Sequence, residues 1–370
     1  MKETVINYLK NCIGWRTKRK LVIISVDDYG NVRLDSKKAR ENLNKAGIKI
    51  YSRFDAFDTL ETTEDLDALF TVLSSVKDSR GNSAVFTPYT LPCNIDFEKV
   101  EQSGYKEYHF ETLPETFSKL ENRDSSAYYK TWNIWQEGIE KKLLFPQFHG
   151  REHLNLNLFN LKLREKDKSL LAVLKHRCLT SISNTEIPNV GWTAAFSFNL
   201  HKETESFPEI LRTGTDVFEK IFGYRSESFT PPAQQFPYDL EESLHTYGIK
   251  NFDKPFFGKR HIGGGEYKRE FNFVGKKKNL NIIVRNVVFE PSDNKIDHVN
   301  KALRQIEAAF TMHRPANISS HRVNFCGHVD EKNRSKGLKE LKILLHEIVK
   351  KWPDVEFISA GELGEIINTN

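Results

Sequence analysis

The sequence is short of cysteine, of long apolar runs, of linkers and of any large surplus of charge. Its four cysteines, Cys12, Cys93, Cys178 and Cys326, lie far apart and form no C-x-x-C pair. Such spacing excludes a thiolate zinc site and a small disulfide framework, and suits a reducing compartment. The clearest early apolar run, LVIISV from Leu21 to Val26, has the length of a strand and cannot span a bilayer. The residues before it, MKETVINYLKNCIGWRTKRK, mix apolar with charged side chains and carry neither the apolar stretch nor the cleavage pattern of an export signal. A cytoplasmic protein with no transmembrane segment is therefore expected, its first helix packing on the fold or touching a membrane surface. Basic residues number 55 and acidic residues 50, scattered along the chain, so no nucleic-acid partner is indicated. The run Lys276–Lys278 reads as a solvated loop.

What the chain does have is alternation. Extended segments (Leu21–Val26, IKIYSRF, SAVFT, LLFPQFH, WTAAFSF, SESFTPP, GIKNF, LNIIVRNVVFE, ANISSH, DVEFISAGEL) are separated by helical stretches at 35–46, 64–76, 125–142, 209–222, 238–247, 297–313 and 335–351. Strands alternating with helices predict an α/β fold with a mostly parallel sheet or barrel. No repeat, low-complexity tract or Pro/Gly/Ser linker marks a boundary, so 1–370 reads as one domain. Residues 1–19 are a helical extension, and 91–148 and 258–278 are candidate insertions.

Four places carry residues suited to chemistry. Asp27 and Asp28 sit where the first strand runs into Gly30, the strand end at which functional groups of α/β folds collect. An isolated Asp pair is otherwise a capping or turn feature. FPQFHGREHLN places His149 and His153 four apart with Glu152 beside the second. As H-x-x-E-H it is a zinc-peptidase pattern with Glu152 as base; as H-x-x-x-H it supplies two ligands, and one Asp of the pair completes a two-histidine, one-carboxylate site. Gly150 inside the motif suits a loop or first turn better than a helix interior. ESFTPPAQQFPY offers Pro231 and Pro232 as a rigid groove wall, and ANISSHRVNF puts His321 at another strand end, where an imidazolium can act as general acid.

The order of these motifs, from Ser25 to His321, resembles that of the polysaccharide deacetylases with a NodB-type domain, carbohydrate esterase family 4. Their T-F-D-D is similar to Ser25-Val26-Asp27-Asp28, and their H-[ST]-x-x-H to His149–His153 with glycine for the hydroxyl residue. Their groove wall is similar to Thr230-Pro231-Pro232, and their late histidine motif to Ile318-Ser319-Ser320-His321. HGREH and SSHRVNF look closest to a cytoplasmic branch of polysaccharide (de)acetylases. The resemblance implies a distorted (β/α) barrel of about seven strands. It implies Asp28, His149 and His153 as ligands of a divalent metal, zinc first and Co2+, Ni2+, Fe2+ or Mn2+ after it, with Asp27 as base and His321 as acid. The expected substrate is an acetylated amino sugar of a glycan or glycan precursor, hydrolysed at the acetyl group. Tyr29, Arg151, Trp192, Pro231, Pro232 and Arg285 are the expected substrate contacts. Two departures stand out. The family's arginine before the groove-wall proline is replaced by Phe229 and Thr230, leaving Arg151 or Arg322 to partner the base. No clear fourth motif is present, although KNFDKPFF lies where one belongs. A glycan-binding protein without activity and an H-x-x-E-H zinc peptidase are the competing readings.

Overall fold

The first strand shows how the sheet divides the molecule. Leu21, Val22, Ile23 and Ile24 are all 0–1% exposed, and burial of each such side chain stabilises the fold by roughly 1.5–3 kcal/mol. Side chains alternate along a strand. Val22, Ile24 and Val26 therefore join one core cluster, while Leu21 and Ile23 join another on the opposite face. The first cluster is covered by the helices Thr63–Ser74, His298–Thr311 and Glu331–Lys351, the second by Phe207–Phe222 and Ala360–Thr369. Helix starts follow local signals: Thr62 and Asp65 form a capping box, and Asp297 accepts the Asn300 N–H.

This computed structural model describes residues 2–183, 187, 189–293 and 296–369. Its strands are β1 (Lys20–Tyr29), β2 (Phe86–Thr90), β3 (Cys93–Ile95), β4 (Phe110–Thr112), β5 (Gln147–Phe148), β6 (Ser228–Phe229), β7 (Asn251–Pro255), β8 (Phe257–His261), β9 (Tyr267–Phe271), β10 (Gly275–Lys277), β11 (Leu280–Arg285), β12 (Val287–Val288), β13 (Ala316–His321) and β14 (Val355–Phe357). Ten of them form one sheet in the order β10-β11-β7-β6-β5-β2-β1-β13-β12, with β14 on the early part of β1. Every pairing in it is parallel except β10 with β11. The hairpins β3–β4 and β8–β9 stand apart.

The expected distorted barrel of about seven strands is not confirmed: the strands form one ten-stranded sheet that does not close. Among the described residues no ladder joins its end strands β10 and β12, but β11, the neighbour of β10, runs on into β12 across Asn286. The Asn286 side chain takes the place of ladder bonds, donating to Pro315 O at 2.9 Å and accepting from Asn317 N at 2.9 Å.

Other elements also differ from expectation. IKIYSRF is not a strand: Ile50 and Tyr51 are 50% and 58% exposed, and Arg53–Phe57 is a short helix. WTAAFSF forms turns, its Phe196 packing into an aromatic cluster with Phe207, Phe229 and Phe236. The stretch 125–142 is two helices, Ser125–Tyr128 and Thr131–Glu140, broken where Lys130 adopts φ 54°. Two helices absent from the sequence reading, Leu156–Arg164 and Lys168–Lys175, start at Asn155 and Asp167 caps. The segment 1–19 carries the helix Lys2–Leu9, Met1 lying outside the described residues. Buried Arg314 holds the following turn, donating to the carbonyls of Asn11, Cys12 and Trp15 at 2.8–3.0 Å. Among the described residues no helix is long and apolar enough to cross a membrane.

Candidate active site

The carboxyl ends of the parallel strands supply the chemistry of one cleft: Asp27 and Asp28 from β1, His149 after β5, Pro255 from β7, Arg285 from β11 and His321 from β13. The period of two along β1 carries Leu21, Ile23, Ser25 and Asp27 from core to cleft on one face. Asp28 would then face the other way. It does not, because the β1–β2 register shifts between Val26 and Tyr29, and Asp28 takes φ 74°. A left-handed non-glycine residue costs of order 1 kcal/mol or more, and such strain concentrates at functional sites. Both carboxylates line the cleft through this irregularity rather than through the strand simply ending.

Asp27 is fully engaged. Arg285 grips it with two hydrogen bonds, Nη1 to Oδ2 at 2.6 Å and Nη2 to Oδ1 at 2.7 Å. The remaining Arg285 Nε donates to Asp253 Oδ1 at 2.8 Å, and Tyr89 Oη donates to Asp253 Oδ2 at 2.9 Å. Burial works against the Asp27 carboxylate, but Arg285 together with His149 and His321 outweighs it and holds the carboxyl below its ordinary range. For Asp253 burial wins and the carboxyl is raised. One guanidinium thus separates two buried carboxyls, which is how paired acids acquire different roles.

HGREH forms a loop, not a helix face. His149 N–H donates to Thr90 O at 3.0 Å, and Asn155 at the loop's end donates to Ala194 O and Ser197 O at 3.0 and 2.7 Å. Gly150 is needed inside it: its φ is 112°, and an added Cβ would meet Pro232 Cδ at 3.2 Å. The loop brings the two imidazoles to 5.3 Å between ring centres. Their Nε2 atoms lie 3.4 Å (His149) and 3.1 Å (His153) from Asp28 Oδ1.

These three residues fit a divalent cation. Two donors bound to one ion at tetrahedral angles lie about 3.3 Å apart for bonds near 2.0–2.2 Å. His149 Nδ1 is 2.7 Å from Thr230 O, a carbonyl that can only accept, so the ring proton sits on Nδ1. That leaves Nε2, buried and without a hydrogen-bond partner, as the nitrogen facing the Asp28 carboxylate oxygen; as a ligand it would present a lone pair there. Lone pair and anion repel unless a cation lies between them. A backbone carbonyl fixing the ring from behind is the usual support of a metal-bound histidine. Burial, only partly offset by Asp28, lowers the His153 pKa and favours the neutral ligand form.

Across the cleft, His321 Nε2 lies 3.8 Å from Asp27 Oδ2, and its Nδ1 lies 2.6 Å from Glu290 Oε1. Burial resists protonation of this imidazole, yet Glu290, Asp28 and Asp27 push its pKa up to about 9. Phe54 meets the ring edge-on at 5.2 Å. The cleft encloses about 310 Å³, and Arg33, Phe54, Thr193 and Gln234 complete its walls.

The other expected contacts sit elsewhere. Tyr29 is 1% exposed, edge-on to Trp135, and Trp192 is 5% exposed, stacked on Phe159; neither ring lines the cleft. Arg151 pairs with Glu152 at 2.6 Å and covers the Phe110 ring, and Arg322 pairs with Asp58 and Glu61 at 2.9 Å each. Arg285, expected at the sugar, is the partner of Asp27 in their stead. Pro232 packs on Gly150, and Pro231 walls a neighbouring depression. Asp253, Glu290 and Phe54 escaped the sequence reading. Asp253 lies within KNFDKPFF and Glu290 ends LNIIVRNVVFE, so acids at strand ends were the available signal; Phe54 had none.

No family model and no curated protein sequence matches the chain. It is similar in structure to a protein described as a polysaccharide deacetylase from Mycobacterium smegmatis, at 10% identity over 96% of this chain and 93% of that one, TM-score 0.46. The peptidoglycan deacetylase PdaC from Bacillus subtilis is similar at 10% identity over 95% and 92%, TM-score 0.35. So is a 4-alpha-glucanotransferase from Thermococcus litoralis, at 10% identity over 94% and 40%, TM-score 0.44. Likenesses this distant say nothing about activity, which is left to the side chains of the cleft.

Proposed function

We propose that this chain is a metal-dependent hydrolase that removes an acetyl group, from nitrogen in preference to oxygen, on an amino sugar of a glycan or glycan precursor in the cytoplasm. The observation that carries the reading is one cleft holding the Asp28–His149–His153 donor set, with His149 Nε2 unpartnered, beside an Arg-held carboxylate and a carboxylate-held imidazole. Asp28, His149 and His153 would hold the cation, zinc before Co2+, Ni2+, Fe2+ or Mn2+. The chemistry it supplies is polarisation of an acyl carbonyl and acidification of water. Asp27, ionised under Arg285, accepts the proton of the attacking water. His321, protonated under Glu290, donates to the departing amine, and the half-buried Phe54 ring offers a flat apolar face to the sugar.

The peptidase reading loses its base, because both Glu152 oxygens are occupied by Arg151 and the residue does not line the cleft. Acetate release from N-acetylated amino-sugar oligosaccharides by metal-loaded protein tests the proposal. Near-normal release by Asp27→Asn would overturn the assignment of the base. Metal binding with glycan retention but no release would return the chain to a binding role.

A further inference from the structure

The hairpin β8–β9 carries a surface that the cleft chemistry does not use. Register pairs Phe257 with Phe271, Lys259 with Arg269 and His261 with Tyr267, so these six side chains share one face. Phe257 and Phe271 are each 59% exposed, and their rings lie 5.1 Å apart. Buried Phe256 supports them from behind, 4.7 Å from one ring and 5.7 Å from the other. The knob is therefore held in place rather than free to fold back. Lys259 and Arg269, both exposed, stand next to it, and no acid occupies that face.

The charge around it is concentrated. Residues 257–278 hold seven basic and two acidic side chains, so this segment alone accounts for the chain's net charge of +5. One of the two acids, Glu270, is turned to the other face, where it pairs with Lys254 at 3.0 Å. That other face, with Gly258 and Arg260, walls a depression that Lys259 also borders and that shares Gln234 and Pro255 with the cleft. The hairpin is thus a rim of the cleft mouth; the Phe257–Phe271 and Lys259–Arg269 part of its first face is turned outward, while His261 at the other end is buried on Phe198.

From this we infer that the hairpin docks the protein on an anionic membrane surface, the two phenylalanines entering the interfacial layer and the surrounding lysines and arginines meeting lipid phosphate. Paired apolar knobs within a field of cations are the composition that binds such surfaces, each part too weak alone. A soluble acidic glycan would use the cations but would leave outward phenylalanines, on the face away from the cleft, without a role. A second copy would bring like charge against like charge.

Sedimentation of the full chain with vesicles tests this without substrate, so it fails or succeeds separately from acetate release. Binding is expected to phosphatidylcholine vesicles containing phosphatidylserine, not to phosphatidylcholine alone, and to weaken as salt is raised. Phe257→Ser with Phe271→Ser should cut the partition at least tenfold, as should Lys259→Glu with Arg269→Glu. Both pairs are exposed, and an unchanged far-ultraviolet spectrum and melting curve will show that the variants fold. Absence of vesicle binding by the wild type, equal binding by the variants, retention on a soluble polyanion that the phenylalanine variant alone abolishes, or a dimer that the same variant dissociates would each overturn the inference.

Discussion

Asp27 and Asp28 are neighbours in sequence and opposites in circumstance. Around Asp27 the protein supplies everything: two bonds from Arg285, which is itself held by Asp253, itself held by Tyr89. Around Asp28 the protein supplies the Nε2 atoms of two imidazoles and stops, and the one from His149 is buried without a hydrogen-bond partner. A buried polar group left unsatisfied costs about 1–3 kcal/mol, more when charged. A fold that satisfies one carboxylate completely and its neighbour incompletely, within one register shift, has prepared the second for something from outside. The first is gripped by an arginine; the second faces two imidazole nitrogens that a cation can share.

The largest effect should come from removing the second carboxylate. Asp28→Ala is expected to lose the bound metal and to lower acetate release by ~10³-fold or more, several kcal/mol of lost Lewis-acid stabilisation. Metal stoichiometry on identically purified proteins checks it, and undiminished metal would erase the contrast between the two residues. Next comes the grip. Arg285→Met strands Asp27 and Asp253 without their shared cation, and removing one partner of a buried pair typically costs about 3–5 kcal/mol. Urea unfolding should show that loss, and a smaller one for metal-free Asp28→Ala, whose carboxylate His153 and His149 hold well below its ordinary range against burial. Asp27→Asn separates chemistry from binding: metal content stays at the wild-type level while turnover falls by about 10²-fold or more, the usual worth of a positioned base. Loss of metal in that variant would mean that the two carboxylates are not functionally distinct.

Much of this contrast was legible in the sequence, and the illegible part has a physical cause. Alternating elements and strand-end acids and histidines point to the parallel sheet and to Asp27, Asp28, His149, His153 and His321, because local pattern fixes which residues leave a strand at its end. Partners across the sheet are another matter. Arg285 lies 258 positions from Asp27, and which arginine reaches a given carboxylate depends on strand order, which no local pattern records. The same gap hid Asp253 and Glu290. Tyr29 and Trp192 misled because aromatic rings near functional motifs serve the core as readily as a ligand. The ten-stranded sheet was not legible because it depends on which strands pair: β11 pairs with β7 and β10, and the chain beyond Asn286 pairs, as β12, with β13.

The smallest effect concerns the third strand end and asks whether the grip on Asp27 has a counterpart at His321. Glu290 holds Nδ1 of His321 as Arg285 holds Asp27, and the imidazole's pKa is raised to about 9. A group whose folded pKa lies above its unfolded value, near 6.5 for histidine, contributes stability that is fully present below that value and is lost as pH rises through about 9. Glu290→Gln keeps an acceptor near Nδ1 but removes the charge. In the metal-free protein the His321 proton resonances should then titrate well below about 9, moving toward the ordinary value, and the loss of stability on the alkaline side should shrink. A cation at Asp28 cancels part of the same pull, so metal loading should move the titration in the same direction as the mutation. If His321 titrates alike in wild type and variant, the carboxylates of β1 rather than Glu290 hold its proton, and the acid and base of the cleft are then one coupled pair instead of two separately secured groups.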